Sequence, residues 1–125
     1  MRSGHLALAA WLLLPGPSQG QEQGRPVDAF FADEVWPKIG ELTCRNCHTI
    51  QGEAAESEFL LRDGDLDPDA LRRNREAFAK MAVARTKDGR PRLLQKASGA
   101  IKHGGGQALK PGSTGYAILE RFVAT

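Results

Sequence analysis

The sequence predicts a small all-α domain. Three observations lead there. No stretch alternates apolar and polar residues for long enough to make a strand. Helix-start signals recur, and apolar residues follow them at three- and four-residue spacing. Clusters of Gly, Pro and Asp separate those stretches. There is no internal repeat and no heptad pattern.

Residues 1–20 are expected to be a cleaved signal peptide. Arg2 supplies the positive start, and Leu6 to Leu14 is an apolar run. That run is shorter than the roughly 20 residues a membrane span needs. Pro15-Gly16-Pro17 breaks it, and Ser18-Gln19-Gly20 offers small residues for a signal peptidase. Residues 21–26 read as a polar, disordered start, and 27–125 as one domain. The expected location is periplasmic or secreted. No second apolar run follows, so no stable membrane insertion is expected.

Within the domain, Pro26 can open a helix over 27–36. Phe30, Phe31, Val35 and Trp36 are its apolar contacts. Pro37 is expected to bend or restart it, with Ile39 and Leu42 continuing the apolar face. Gln51 to Glu58 is polar and acidic, and Phe59-Leu60-Leu61 is a short apolar patch. A second helix should run from about Pro68 to about Ala84, with Asp67 as its cap. Leu71, Phe78, Met81 and Ala82 share its apolar face. Lys87 to Arg92 is a basic turn, and Leu93 to Ala97 one helical turn. His103-Gly104-Gly105-Gly106 is a loop. Ser113 or Thr114 caps a last helix to about Ala124, burying Tyr116, Leu119, Phe122 and Val123.

The chemistry concentrates in Cys44-Arg45-Asn46-Cys47-His48, the attachment pattern of a c-type haem. Two thiols at this spacing can add to the two vinyl groups of one haem. The following imidazole then reaches the iron as proximal ligand. Cys44 and Cys47 are the only cysteines in the sequence, so the pattern uses both. Haem is ligated to this motif outside the cytoplasm, which agrees with the export signal. The cofactor expected is one covalent haem c.

The order of elements resembles the small, single-haem class I cytochrome c fold, over roughly Val27 to Val123. The segment Leu93 to Gly99, then His103 to Gly106, Pro111-Gly112-Ser113 and Tyr116, is similar to the cytochrome c-like modules of large secreted bacterial proteins. The resemblance implies that the first and last helices cross over the haem, with Gly40 against Tyr116 or Phe122. It also implies a distal ligand in the loop before the last helix. The family often has a proline about a dozen residues past the motif, whose carbonyl accepts the second N–H of the proximal histidine. No proline occurs between His48 and Pro68. A backbone carbonyl from residues 53–66 is expected instead.

After signal removal only His48 and His103 remain among histidines, and only Met81 among methionines. His103 lies in the ligand loop and is the expected distal ligand, with Met81 or an open position as the alternatives. A His/His pair implies a lower reduction potential than His/Met.

Other readings fit less well. Asp63-Gly64-Asp65-Leu66-Asp67 opens like a calcium loop, but Pro68 and Asn74 stand where Gly and Glu are required. His-Gly-Gly-Gly lacks the nucleophile elbow of an esterase. A thioredoxin-like dithiol lacks its βαβ frame, and a disulfide would close a very small loop. Zinc could use Cys44, Cys47, His48 and His103, although adjacent ligands suit it poorly.

From Glu22 to Asp69 there are twelve acidic and four basic residues. From Ala70 to Lys110 there are eleven basic and two acidic ones. A basic face of this kind suits an acidic redox partner. Nucleic acid is not expected. The sequence therefore reads as an exported electron carrier, not an enzyme. The alternatives are a haem sensor or small catalytic haem protein with an open sixth position, and an electron-entry module for a larger enzyme.

Overall fold

The computed structural model describes residues 27–125. The signal peptide of residues 1–20 and the polar start of 21–26 lie outside the described residues. Helices account for the regular structure: α1 (Phe31–Gly40), α2 (Ala70–Val83), α3 (Arg92–Ala97) and α4 (Thr114–Val123), with a short 3-10 turn at Cys44–Asn46. Among the described residues the extended pairing is limited to a single bridge between Arg85 and Pro91.

The α1 run is fixed at its start by Asp28, whose Oδ1 accepts the Phe31 N–H at 2.9 Å. Pro37 does not break it. A proline removes one N–H and crowds the carbonyl four residues earlier. The chain takes the wider π-helical spacing instead, and Glu41 N–H reaches Trp36 O at 2.9 Å. The helix therefore continues through Pro37 with a local widening, where the sequence suggested a bend or a restart. Phe31, Val35 and Ile39 form its buried stripe. Leu42 leaves that face and is 69% exposed.

The α2 helix begins two residues later than Pro68. Asp67 Oδ1 accepts the Asp69 N–H at 2.9 Å, so Asp67 caps the preceding turn. Its buried stripe is Ala70, Asn74, Phe78 and Ala82 at four-residue spacing, with Leu71 and Met81 on its flanks. In α4, the Ser113 side chain accepts the Tyr116 N–H, as its residue type suggested. Leu119 and Phe122 are buried there.

The core is an aromatic cluster joining three helices and one loop. The Phe31 ring meets Phe78 at 5.5 Å and Phe122 at 5.7 Å, while Phe59 meets Phe78 at 5.1 Å and 77°. Edge-on pairs at such separations add to the area burial. The first and last helices thus pack through Phe31 and Phe122. Gly40 has another use: a Cβ there would lie 2.8 Å from Cζ3 of Trp36, so the glycine makes room for that ring.

The uneven charge of the sequence is partly cancelled in space. Arg75 bonds Asp28 at 2.9 Å, Arg73 lies 3.4 Å from Asp67, and Arg72 lies 3.6 Å from Asp69. Acidic and basic halves of the chain are stitched together. Among the described residues, no helix is long and apolar enough to cross a membrane.

Candidate functional site

The turn that carries the cysteines is set by the end of α1. Ile39 is buried, and Thr43 N–H returns to its carbonyl at 3.0 Å. The chain then tightens into the 3-10 turn, with His48 N–H on Cys44 O at 3.1 Å. Ala54 N–H closes on Cys47 O at 2.9 Å, and Leu61 N–H on His48 O at 2.7 Å. Gly52 sits so close to this turn that a Cβ would come within 2.8 Å of the Cys47 carbonyl carbon.

The His48 ring is fixed on two sides. Its Nδ1 bonds the Phe59 carbonyl at 2.8 Å, and it meets the Phe59 ring edge-on at 4.9 Å and 62°. Phe59 lies eleven residues past His48, within the stretch where the sequence placed the carbonyl acceptor. Burial lowers the basicity of His48, which outweighs the opposing Phe59 hydrogen bond, and His103 lowers it further. The neutral ring is the form that binds a metal. Burial pushes the Cys44 thiol up to about 12, so it is a thiol and not a thiolate. Cys44 and Cys47 are both free.

His103 stands opposite His48. The ring centres are 6.1 Å apart and the planes only 12° from parallel. The loop is tied at both ends: Lys96 Nζ donates to Lys102 O at 2.6 Å, and Leu109 N–H to Ala97 O at 2.9 Å. Within it, Gly106 has φ +61°, a conformation suited to glycine. Its carbonyl bonds His103 Nδ1 at 3.0 Å. In both imidazoles Nδ1 is engaged by a backbone carbonyl, which leaves Nε2 as the nitrogen for a metal.

Cys44, His48, Met81 and His103 line one apolar, partly open cavity of about 90 Å³, together with Phe59, Leu93, Leu109 and Leu119. A larger space of about 450 Å³ adjoins it, sharing Ser57, Phe59 and Met81 and reaching Lys80 and Arg92. Cofactor sites typically occupy about 300–1,000 Å³. Two imidazoles on opposite sides of one metal ion, each bonded at about 2 Å, have ring centres about 6 Å apart. The 6.1 Å separation matches that spacing, and His48, His103 and Cys44 border one cavity. Cys47 lies in the same turn. Met81 borders the same space and stays a second candidate.

Other chemistries gain less from this geometry. Among the described residues, no group of three or more His, Cys, Asp or Glu side chains is placed to hold a metal ion, which removes the zinc set. Asp63 is used by Arg45 at 2.7 Å and by the Asp65 N–H at 2.9 Å, so the apparent calcium loop is a salt-bridged turn. The motif made Cys44, Cys47 and His48 visible in sequence. The carbonyl acceptor was placed only as a stretch of residues 53–66, and nothing pointed to Gly52, whose role depends on backbone packing.

No protein-family model, no curated protein and no solved structure matches this chain.

Proposed function

We propose that this chain is an exported c-type cytochrome domain of class I type, carrying single electrons through one covalently attached haem. The observation that carries the reading is the facing pair of imidazoles, 6.1 Å apart and nearly parallel, one of them supplied by the Cys44–His48 motif. When bound, the haem supplies a ferric/ferrous couple that accepts and releases one electron at a time.

The residues of the chain divide the work around it. Cys44 and Cys47 hold the macrocycle through their sulfur atoms. His48 binds iron through Nε2, while its Nδ1–H donates to Phe59 O, which orients the ring and strengthens it as a donor. His103 would supply the second ligand nitrogen, with Met81 as the alternative. Phe59, Leu93, Leu109 and Leu119 exclude water. Two histidines favour the ferric state more than a His/Met pair, which gives a lower potential. Lys96 stands at the cavity edge and Arg92 on the adjoining space. These cations steer an acidic redox partner better than Arg72, whose charge is already paired with Glu76.

One observation favours a second reading, a haem sensor with a labile sixth position. His103 sits on a loop whose Gly104, Gly105 and Gly106 are all exposed. Carbon monoxide binding to the ferrous protein distinguishes the two.

The test is covalent attachment. Produced with a cytochrome c maturation system, the protein should carry one haem in a denaturing mass spectrum. Replacing both Cys44 and Cys47 by alanine should remove it. A protein that binds no haem, or releases it in acidified acetone, contradicts the proposal.

A further inference from the structure

We infer that Asn74 is a positioning residue for His48: its carboxamide clamps the backbone at Arg62 and thereby holds the Phe59 carbonyl that receives the His48 Nδ1–H. The inference rests on the reading of His48 as the proximal iron ligand.

The starting point is an anomaly in α2. Three positions of its buried stripe are Ala70, Phe78 and Ala82, and the fourth is Asn74, with no exposed surface. A carboxamide removed from water is costly unless it is hydrogen-bonded. Here both ends are satisfied by one residue. Oδ1 accepts the Arg62 N–H at 2.7 Å, and Nδ2 donates to the Arg62 carbonyl at 2.9 Å. The side chain acts as a short piece of paired backbone. An apolar residue of similar size would fill the stripe but leave both Arg62 groups unpaired.

Arg62 belongs to a segment with no regular structure of its own. Residues 59–62 run past the haem-motif turn without forming a helix or strand. Their other polar anchors are local or face the turn itself. Phe59 N–H bonds Ser57 Oγ at 2.9 Å, Leu61 N–H bonds His48 O at 2.7 Å, and Phe59 O meets His48 Nδ1 at 2.8 Å. The Asn74 pair ties the segment to a helix. Two residues separate the clamped Arg62 from Phe59, and no proline stiffens the chain between His48 and Pro68. Phe59 and Leu61 keep the segment seated in the core, so losing the clamp loosens the Phe59 carbonyl against Nδ1 and does not release the segment. The hydrogen bond orients the imidazole and raises its donor strength, so its loss raises the potential.

The test uses the matured holoprotein and Asn74→Leu, read by exchange of the His48 Nδ1–H in NMR and by the reduction potential. The clamp predicts faster exchange by about tenfold, the factor for one hydrogen bond of about 1.4 kcal/mol, and a higher potential. Val35→Ala, a buried change on α1, supplies the control and should move neither. Unchanged exchange and potential in Asn74→Leu, or equal shifts in Val35→Ala, overturn the inference. If Asn74→Leu does not accumulate, the unsubstituted protein decides. There the Arg62 N–H and His48 Nδ1–H should open together. An Arg62 N–H that exchanges freely while Nδ1–H stays protected overturns the clamp. A chain that attaches no haem contradicts the cofactor reading instead, and the same exchange comparison on that chain still decides the clamp.

Discussion

Replacing Gly52 by alanine should damage the motif turn from outside it. The added Cβ would lie 2.8 Å from the Cys47 carbonyl carbon, 2.9 Å from Thr49 Oγ1 and closer still to Cys47 O. Two of these three atoms are backbone, so no side-chain rotation relieves the clash. Overpacking of this kind costs about 1–3 kcal/mol. Relief requires moving the Cys47 carbonyl, which accepts the Ala54 N–H at 2.9 Å, or Gly52 itself, which donates to Thr49 O at 3.0 Å. Each weakened bond adds about 1 kcal/mol. The expected total is about 3 kcal/mol, which for a domain of this size lowers Tm by about 12 °C or more. Thermal unfolding followed by circular dichroism measures it, and the yield of haem attachment should fall in parallel. A Gly52→Ala protein as stable as the parent would refute the packing argument, because nothing else in the turn can absorb a Cβ.

The remaining expectations concern the helix start, the ligands and the charged rim. Asp28 accepts the Phe31 N–H and Arg75, which together hold its carboxyl below the ordinary 3.8, the Phe31 bond contributing most. Its stabilisation is therefore complete above that value and is lost as pH falls through the lowered folded one. Asp28→Ala should cost about 1 kcal/mol at neutral pH, a typical cap, and urea titrations should show the difference vanishing in acid. His103→Ala should give a high-spin haem that accepts ligands, while Met81→Leu, of similar volume, should leave the optical spectrum unchanged. The opposite pair of spectra would assign the ligand to Met81. Charge reversal at the exposed Arg92 should slow electron transfer to an acidic partner and weaken its salt dependence, since surface charges are screened over about 10 Å at 0.1 M salt. Equal slowing by Arg72→Glu in stopped-flow measurements would contradict the assignment of the docking face.

The helices were legible because their cues are local. Ser113 caps α4 as its residue type suggests, and Phe78 and Ala82 occupy the face their spacing predicts. Pro37 was legible as a disturbance, a bend or a restart, but not as the π spacing by which the backbone accommodates it. Leu42 misled for a related reason: the change of helical spacing rotates it out of the buried stripe. At the site, Cys44, Cys47 and His48 are consecutive enough to be read as a pattern. Elimination left His103 and Met81, and the ligand loop implied by the family resemblance favoured His103, whose ring lies 6.1 Å from that of His48. The Phe59 carbonyl was legible only as a stretch of chain, since any backbone carbonyl serves. Asn74 was read as a failed calcium ligand, because its partners lie twelve residues away and are themselves backbone.

The most direct test of the account is the optical spectrum of the matured protein, oxidised and reduced, with and without carbon monoxide. A haem held between His48 and His103 predicts a six-coordinate low-spin spectrum in both states. It also predicts no methionine-to-iron band in the far red of the oxidised form and no change on adding carbon monoxide. A high-spin spectrum, or ready binding of carbon monoxide by the ferrous protein, would contradict the paired-histidine electron carrier.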